Sequence, residues 1–343
     1  MKLKKQFADF YKEIKIDEEV EDLKEKREVL QGDIENKLPN ELKKHGIDLK
    51  KSEIKIFDQG SYKLNTTISN DYGSIDRDVA VMFPLNIVKN SDPRKIKAYV
   101  RDALKHQNRA LDIKEPCVNV SYIENGEEWM HIDLPVYAQY DGNVYLARGS
   151  EFAKEGNYRW EDADPEGLNE WLLGKITGND QLRRNIRYIK KWKQEKYHDS
   201  SLDHEVPPSI GLTLLMCEHF VPSTSSEGDD DLLSLRMSIQ NIMNEFDLTY
   251  DYFGNLIKAD ITYELPVVPS TDVFAKMKKS DSYVIKFYNR LNTALQNLTD
   301  ACNVESEHDA GVSVQKVLGD KFLVPPKQVS ISTSSNRREH SFG

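Results

Sequence analysis

Three aspartates, a Gly-Ser pair and a basic run are the residues of this 343-residue chain whose types and spacing could do chemistry. Asp76 and Asp78 stand two apart, directly before the apolar run Val79-Ala80-Val81-Met82-Phe83. In an extended strand that spacing turns both carboxylates to one face, roughly 6 to 7 Å apart, where they can bracket a divalent cation. The third, Asp133, lies in a stretch where Met130, Ile132, Leu134 and Val136 alternate with His131, Asp133 and Pro135. An aspartate in such a strand faces a polar or metal-filled site, or else carries a desolvation cost on the order of several kcal/mol. Three acids converging from two strands suit Mg2+, with Mn2+ as a substitute, because hard oxygen ligands leave coordination places for substrate phosphates. In two-metal phosphoryl or nucleotidyl transfer the cations sit about 4 Å apart, one activating the attacking hydroxyl and one bracing the leaving pyrophosphate. Gly60-Ser61 offers backbone N–H groups and a hydroxyl that a phosphate can approach closely, although alone it reads as a plain turn.

Elements must position these groups. Strand patterns cover 54–57, 79–83, 117–123 and 129–137, the last after the turn Glu124-Asn125-Gly126. Asp92-Pro93 opens a helix expected over 94–111. Apolar residues from Ile16 through Leu30 and Ile34 to Leu42, mostly three or four apart, predict a long amphipathic helix over 17–44, kinked at Pro39 and stopped at Gly46. From about 165 onward helical patterns follow one another at 168–173, 180–197, 210–220, 232–246 and 272–298. The acidic segment 222–231 reads as a solvated loop, and 325–343 has too few apolar residues to pack and reads as a flexible tail. The fold class is α+β (mixed α/β): a sheet lobe with its long N-terminal helix over 1–165, a helical lobe over 166–325 and a tail over 326–343, with the site in the cleft between the lobes.

Composition narrows the function classes. Lys and Arg number 47 against 57 Asp and Glu, a net charge of −10, which gives little whole-molecule attraction for nucleic acid, so a polyanionic substrate must meet a local basic site. Seven of the fourteen residues from Arg183 to Lys196 are basic and supply one. Mean hydropathy is −0.64, and no run reaches the roughly 18 to 20 apolar residues of a membrane span. The N-terminus lacks the apolar core of a signal peptide, which predicts a cytoplasmic protein. Cys117, Cys217 and Cys302 are far apart and odd in number, so they read as reduced thiols rather than disulfides or zinc ligands.

The joint order is more telling than any one motif: strand, Gly-Ser, Asp-x-Asp entering a strand, a crossover, then a strand with a central Asp. It resembles the nucleotidyltransferases related to DNA polymerase beta. More finely, Gln59-Gly60-Ser61-Tyr62-Lys63-Leu64-Asn65-Thr66, Asp76-Arg77-Asp78-Val79-Ala80-Val81 and Ile132-Asp133-Leu134-Pro135-Val136-Tyr137 resemble the CD-NTase family, the bacterial cGAS-like cyclic oligonucleotide synthases of antiphage signalling. The resemblance spans roughly residues 50–300. It implies a sheet lobe and a helical lobe, with Asp76, Asp78 and Asp133 as catalytic metal ligands. It also implies that Gln59, Gly60, Ser61 and Thr66 lie along a donor triphosphate. Lys190, or Lys191 one residue on, would be the phosphate contact from a helix, and Ser209 in Pro207-Pro208-Ser209 a helix cap or phosphate ligand. Substrates would be ATP and/or GTP, and the product a cyclic di- or trinucleotide that activates an effector protein. Asn65 stands where the family usually has Gly and can adopt the same left-handed turn. Arg77 stands where an aliphatic is usual, and its side chain points to the other face.

Tyr137, Tyr158 and Trp160 can stack on bases or belong to the core. Some members of the family are joined by ubiquitin-transfer-like partners through a C-terminal residue, for which Gly343 is sterically open. Linear nucleotidyl transfer, as in oligoadenylate synthases or small-molecule and tRNA nucleotidyltransferases, uses the same acids, and a nucleotide-binding module without catalysis would share the fold. Nucleic-acid activation is disfavoured by the charge and the absence of a zinc insert.

Overall fold

The structure, a computed structural model, describes residues 2–16, 21–72, 74–124 and 126–327. The expected tail from 328 and the conjugation site at Gly343 lie outside the described residues, as does Val20 of the expected long helix.

The N-terminal region forms two helices, α1 (Lys4–Ile14) and α2 (Glu21–Lys44). Helix α2 carries Pro39 inside it and ends at a turn where Gly46, at φ 78°, donates to the Lys43 carbonyl. Its Leu30, Ile34, Leu38 and Leu42 are buried beneath the sheet, whereas Phe7, Phe10 and Ile14 of α1 pack in the helical core, Phe7 and Phe10 against Tyr188 and Phe322. The first helix in sequence thus packs into the lobe built from the later part of the chain.

The sheet is built around β2 (Ile75–Pro84). β1 (Lys55–Gln59), which runs into the one-turn helix α3 (Gly60–Lys63), pairs antiparallel with one edge of β2. Helix α4 (Pro93–Ala103), capped by the Asp92 carboxylate, leads to β3 (Arg109–Ile113) and β4 (Val118–Glu124). The expected helix over 94–111 therefore ends eight residues early, because Leu111 and Ile113 follow strand alternation and pair with Val120 and Val118. The expected strand 129–137 is two, β5 (Glu127–Leu134) and β6 (Val136–Tyr140). Pro135 has no N–H to give the ladder, so pairing is interrupted there, yet β5 and β6 keep the same 55-residue offset against β2, parallel to it on one edge. β4 then adds to β5, and β7 (Asn143–Arg148) and β8 (Arg159–Asp162) follow from β6.

Period two divides β2 sharply. Val79, Val81 and Phe83 face the core under α2 and α4, while Ala80 and Met82 lie on the other face with Tyr137. Asp76 and Asp78 continue that second face. Arg77, 3% exposed, points to the first, where its guanidinium pairs with Asp58 at 2.9 Å and lies 3.5 Å over the Tyr62 ring.

The helical lobe comprises α5 (Pro165–Ile176), α6 (Asp180–Tyr197), α7 (Ser209–His219), α8 (Asp231–Met243), α9 (Asp281–Asn303) and α10 (Glu307–Leu318), with a small antiparallel pair, β11 (Asp247–Tyr250) and β12 (Leu256–Asp260). The segment expected as a loop at 222–231 holds two two-residue strands, β9 (Thr224–Ser225) and β10 (Gly228–Asp229) in chain order before α8. α9 starts nine residues later than the pattern predicts. Asp272 accepts backbone hydrogen bonds from Tyr263 and Phe274, and Phe274 fills the space over Gly211 of α7, so 272–280 is a plug that ends in the short 3-10 turn Met277–Lys279 and not the start of α9. All three cysteines are free, as their spacing predicts. Among the described residues no helix is long and apolar enough to cross a membrane.

Arg187 of α6 ties the lobes together. Fully buried, it donates to the Thr67 carbonyl at 3.2 Å, to the Tyr11 hydroxyl at 2.6 Å and to Asn65 Oδ1 at 2.6 Å. Removing a charged donor leaves those acceptors buried, so Arg187→Met is expected to lower unfolding stability by about 2–4 kcal/mol in urea titration. A loss below about 0.5 kcal/mol would mean that water replaces the guanidinium and that it is no tie.

Candidate active site

β1 ends at Gln59 and the chain turns at Gly60 with φ 61°, a left-handed conformation that glycine adopts without strain. A side chain is also excluded for space: a Cβ on Gly60 would stand 2.1 Å from Asp78 Oδ2. The turn therefore lies directly against the second acid. Ser61 follows, its Oγ accepting from Thr67 at 3.3 Å, and Asn65 takes φ 50°, the left-handed turn expected where the motif usually has Gly. Asn65 adds what Gly cannot, an acceptor for Arg187.

The parallel register of β2 and β5 pairs Asp76 with His131 and Asp78 with Asp133, so four side chains of one face form a square. Ligand atoms of Asp76, His131 and Asp133 lie within 4.8 Å of one another. Asn119 donates to Asp133 Oδ1 at 2.6 Å, and Lys114 stands 3.9 Å from the same oxygen. The carboxyl of Asp78 is pushed well above the usual range by burial, then by Asp76 and Asp133, with Lys190 and His131 opposing. Burying a carboxylate among carboxylates is unfavourable unless a cation compensates, and this oxygen-rich donor set fits the divalent ion that the motif implies.

Across from the acids, α6 presents Lys190 and Lys193, one turn apart. Asn179 caps that helix by accepting from the Leu182 N–H. Lys190 Nζ donates to the carbonyl and hydroxyl oxygens of Thr66, both at 3.2 Å. Burial, with Arg187 and Lys193 nearby, brings its ammonium down to about 7 against the pull of Asp78 and Asp76. Lys193 donates to Ser209 Oγ at 2.7 Å and is brought down to about 8, again by burial. The cleft between, about 340 Å3, is lined by Gly60, Ser61, Asp76 and Asp78 from the sheet side and by Lys190, Lys193, Gln194 and Ser209 from the helical side.

Several expected site residues stand elsewhere. Asp133 does not line this cleft, but its carboxylate meets Asp76 and His131, whose ligand atoms lie within 4.8 Å of it. Gln59 accepts from the Tyr137 hydroxyl at 3.4 Å, and Thr66 is fully buried and holds Lys190, so both act behind the wall. Lys191 is turned away: its buried ammonium pairs with Asp71 and with Glu195 at 2.9 Å, which removes it as the alternative phosphate contact. Helical geometry dictates this, since adjacent residues face about 100° apart. The three aromatics considered for stacking are structural. Tyr137 packs on Ala80 and Met82, Trp160 donates to the Asn90 carbonyl at 2.8 Å, and Tyr158 lies under the Arg94 guanidinium. Sequence reasoning passed over Lys193 and His131, although the signals were present: one is three residues from Lys190 on a helix, the other two from Asp133 on a strand.

Residues 54–137 match the model of the Cyclic GMP-AMP synthase DncV-like nucleotidyltransferase domain. No curated protein sequence matches the chain. Among solved structures, Vibrio cholerae DncV cyclic AMP-GMP synthase, described as a prokaryotic cGAS homologue, superposes with a TM-score of 0.67 at 18% identity, over 92% of this chain and 97% of that one. The GTP-bound form of Vibrio cholerae DncV gives 0.68 at 17%, over 92% and 96%. Escherichia coli DncV bound to 3'-deoxy GTP gives 0.65 at 14%, over 90% and 93%. The stretch that carries the acid motifs thus matches the DncV-like nucleotidyltransferase domain, and the chain around it has the two-lobed, polymerase beta-like fold of the DncV synthases.

Proposed function

We propose that the protein is a nucleotidyltransferase that joins ribonucleoside triphosphates, ATP and/or GTP, into a cyclic di- or trinucleotide. The observation that carries this reading is the opposition, across one cleft, of Asp76 and Asp78, backed by Asp133, to Lys190 and Lys193, with Gly60-Ser61 at the edge. The lysines and the Gly60-Ser61 turn bind the donor triphosphate. The acids sit where a ribose hydroxyl of the acceptor can approach the donor α-phosphate. Two Mg2+ ions held by Asp76, Asp78 and Asp133 would supply a more acidic acceptor hydroxyl and charge neutralisation at the leaving pyrophosphate. The hydroxyl oxygen bonds to the α-phosphorus as the bond to pyrophosphate breaks, and a second or third such transfer closes the ring. The nucleotide class is supported by the GTP named in the matched structures and by a linear intermediate, pppA(3',5')pG, named in another. The motif resemblance supports a role in antiphage signalling, the product acting on an effector protein.

The test is to incubate the protein with all four ribonucleoside triphosphates and Mg2+, treat with phosphatase and identify resistant products by mass spectrometry, beside an Asp76→Ala, Asp78→Ala double variant. A resistant product of cyclic mass, absent from the variant, is expected. Linear products alone would assign the cleft to linear transfer, and binding without product would assign a binding module.

The lowered ammonium of Lys190 makes a further prediction. Below about pH 7 it is already cationic in the free protein, and above it neutral, so a bound triphosphate must recharge it. Calorimetry in buffers of different ionisation enthalpy should show proton uptake on ATP binding at pH 8 that falls by nearly one proton per site in Lys190→Met, the remainder belonging to Lys193. Equal uptake by the two proteins would remove Lys190 from the phosphate site.

A further inference from the structure

We propose that His131 is a nitrogen ligand of the cation held by Asp76 and Asp133, and that this makes the site prefer Mn2+ to Mg2+. The inference rests on the metal-dependent reading above and concerns which ion that site is built for. It begins with position: His131 and Asp133 share a face of β5, and the parallel register sets His131 directly beside Asp76. Its Nε2 is 3.2 Å from Asp76 Oδ1, and it completes with Asp76 and Asp133 the trio whose ligand atoms lie within 4.8 Å of one another.

The far side of the ring is equally constrained. Nδ1 lies 2.7 Å from Ser74 Oγ and 3.2 Å from Glu128 Oε1, and Ser74 itself donates to that Glu128 oxygen at 2.6 Å. Carboxylates flank both ring nitrogens: Ser74 and Glu128 keep the Nδ1 proton, and a cation held by Asp76 and Asp133 takes the place of the Nε2 proton, so that Nε2 becomes its ligand. A histidine whose other nitrogen is held by a carboxylate is the common arrangement of metal-ligating imidazoles, because the partner fixes both tautomer and ring orientation. A site of carboxylates alone would favour Mg2+, whereas an imidazole is a softer donor that first-row transition ions accept more readily. Neither Ser74 nor Glu128 belongs to the acid motif, so their convergence on this ring is an independent feature.

The test uses Mn2+ itself as the probe, on the wild-type protein without nucleotide. Pulsed electron paramagnetic resonance of bound Mn2+ should show nitrogen modulation that changes on labelling with 15N-histidine and is absent in His131→Gln. In parallel, Mn2+ titration should weaken about tenfold or more in His131→Gln, with Mg2+ affinity, read by competition, changed less than about threefold, and Glu128→Gln should weaken Mn2+ by a smaller factor in the same direction. Bound Mn2+ without nitrogen modulation would overturn the assignment while leaving the catalytic reading intact. Equal weakening of both ions in His131→Gln would overturn the preference. Failure of Mn2+ and Mg2+ to bind the wild type would overturn the metal site as a whole, and this inference with it.

Discussion

Asp78→Asn is expected to abolish nucleotidyl transfer, by about 10^3-fold or more, and at the same time to stabilise the protein without metal or nucleotide. The loss follows from removing a charge where cations must be held. The gain follows from the carboxyl's surroundings: it is half-buried at the cleft wall beside Asp76 and Asp133 and pushed well above the usual range. A carboxyl whose folded value is raised contributes most stability below its unfolded value near 4 and loses it as pH rises through the folded value. Asparagine has nothing to ionise and keeps its stability across that window. The melting temperature of Asp78→Asn should therefore exceed that of wild type more at pH 8 than at pH 5, by an amount equivalent to about 1 kcal/mol, the usual scale for relieving a strained functional position. A saturating divalent cation should shrink the difference by stabilising only the wild type. Equal melting temperatures at both pH values would mean that the three acids do not repel one another in the folded protein.

Gly60→Ala is expected to damage both fold and chemistry, for separable reasons. At φ 61° an L-residue meets a backbone penalty of about 1–2 kcal/mol. The new Cβ would also stand 2.1 Å from Asp78 Oδ2 and 3.0 Å from its Cγ, so that carboxylate must move by about 1 Å, a displacement that costs on the order of 10^2-fold in rate when the displaced group is catalytic. Gly142→Ala is the control, because its φ is 76° and its surroundings are open. It should lose comparable stability and retain activity, measured as kcat/KM for product formation at a temperature where both variants are folded. If Gly142→Ala lost as much activity as Gly60→Ala, strain alone would explain the effect, and the contact with Asp78 would have no role.

Much of this protein was legible without coordinates. The acids and the Gly-Ser turn were readable because they ride on short periods, and local period alone decides which side chains share a face. Lys190 and Ser209 came from the family resemblance; both line the cleft, but Ser209 is the first residue of α7 after the cap position Pro208 and makes no cap hydrogen bond. The face of Arg77 followed for the same reason, and the left-handed turn at Asn65 followed from the resemblance, which places it where the family usually has Gly. Element boundaries were less legible where a side chain's partner is distant in sequence. Leu111 looks helical until Val120 offers it a strand neighbour, and 272–280 looks helical until Phe274 finds Gly211.

What the sequence by itself determined was the set of chemically capable residues and the face each takes within its own element. What only the tertiary structure decided was which of them meet. It placed Lys190 and Lys193 in the cleft and turned Lys191 to Asp71 and Glu195. It set His131 beside Asp76, moved Gln59 and Thr66 behind the wall, and packed α1 into the helical lobe. The physical reason is that register between strands and the seating of one helix on a sheet depend on burial summed over many contacts distant in sequence, whereas a residue's face depends on the backbone dihedrals of its immediate neighbours.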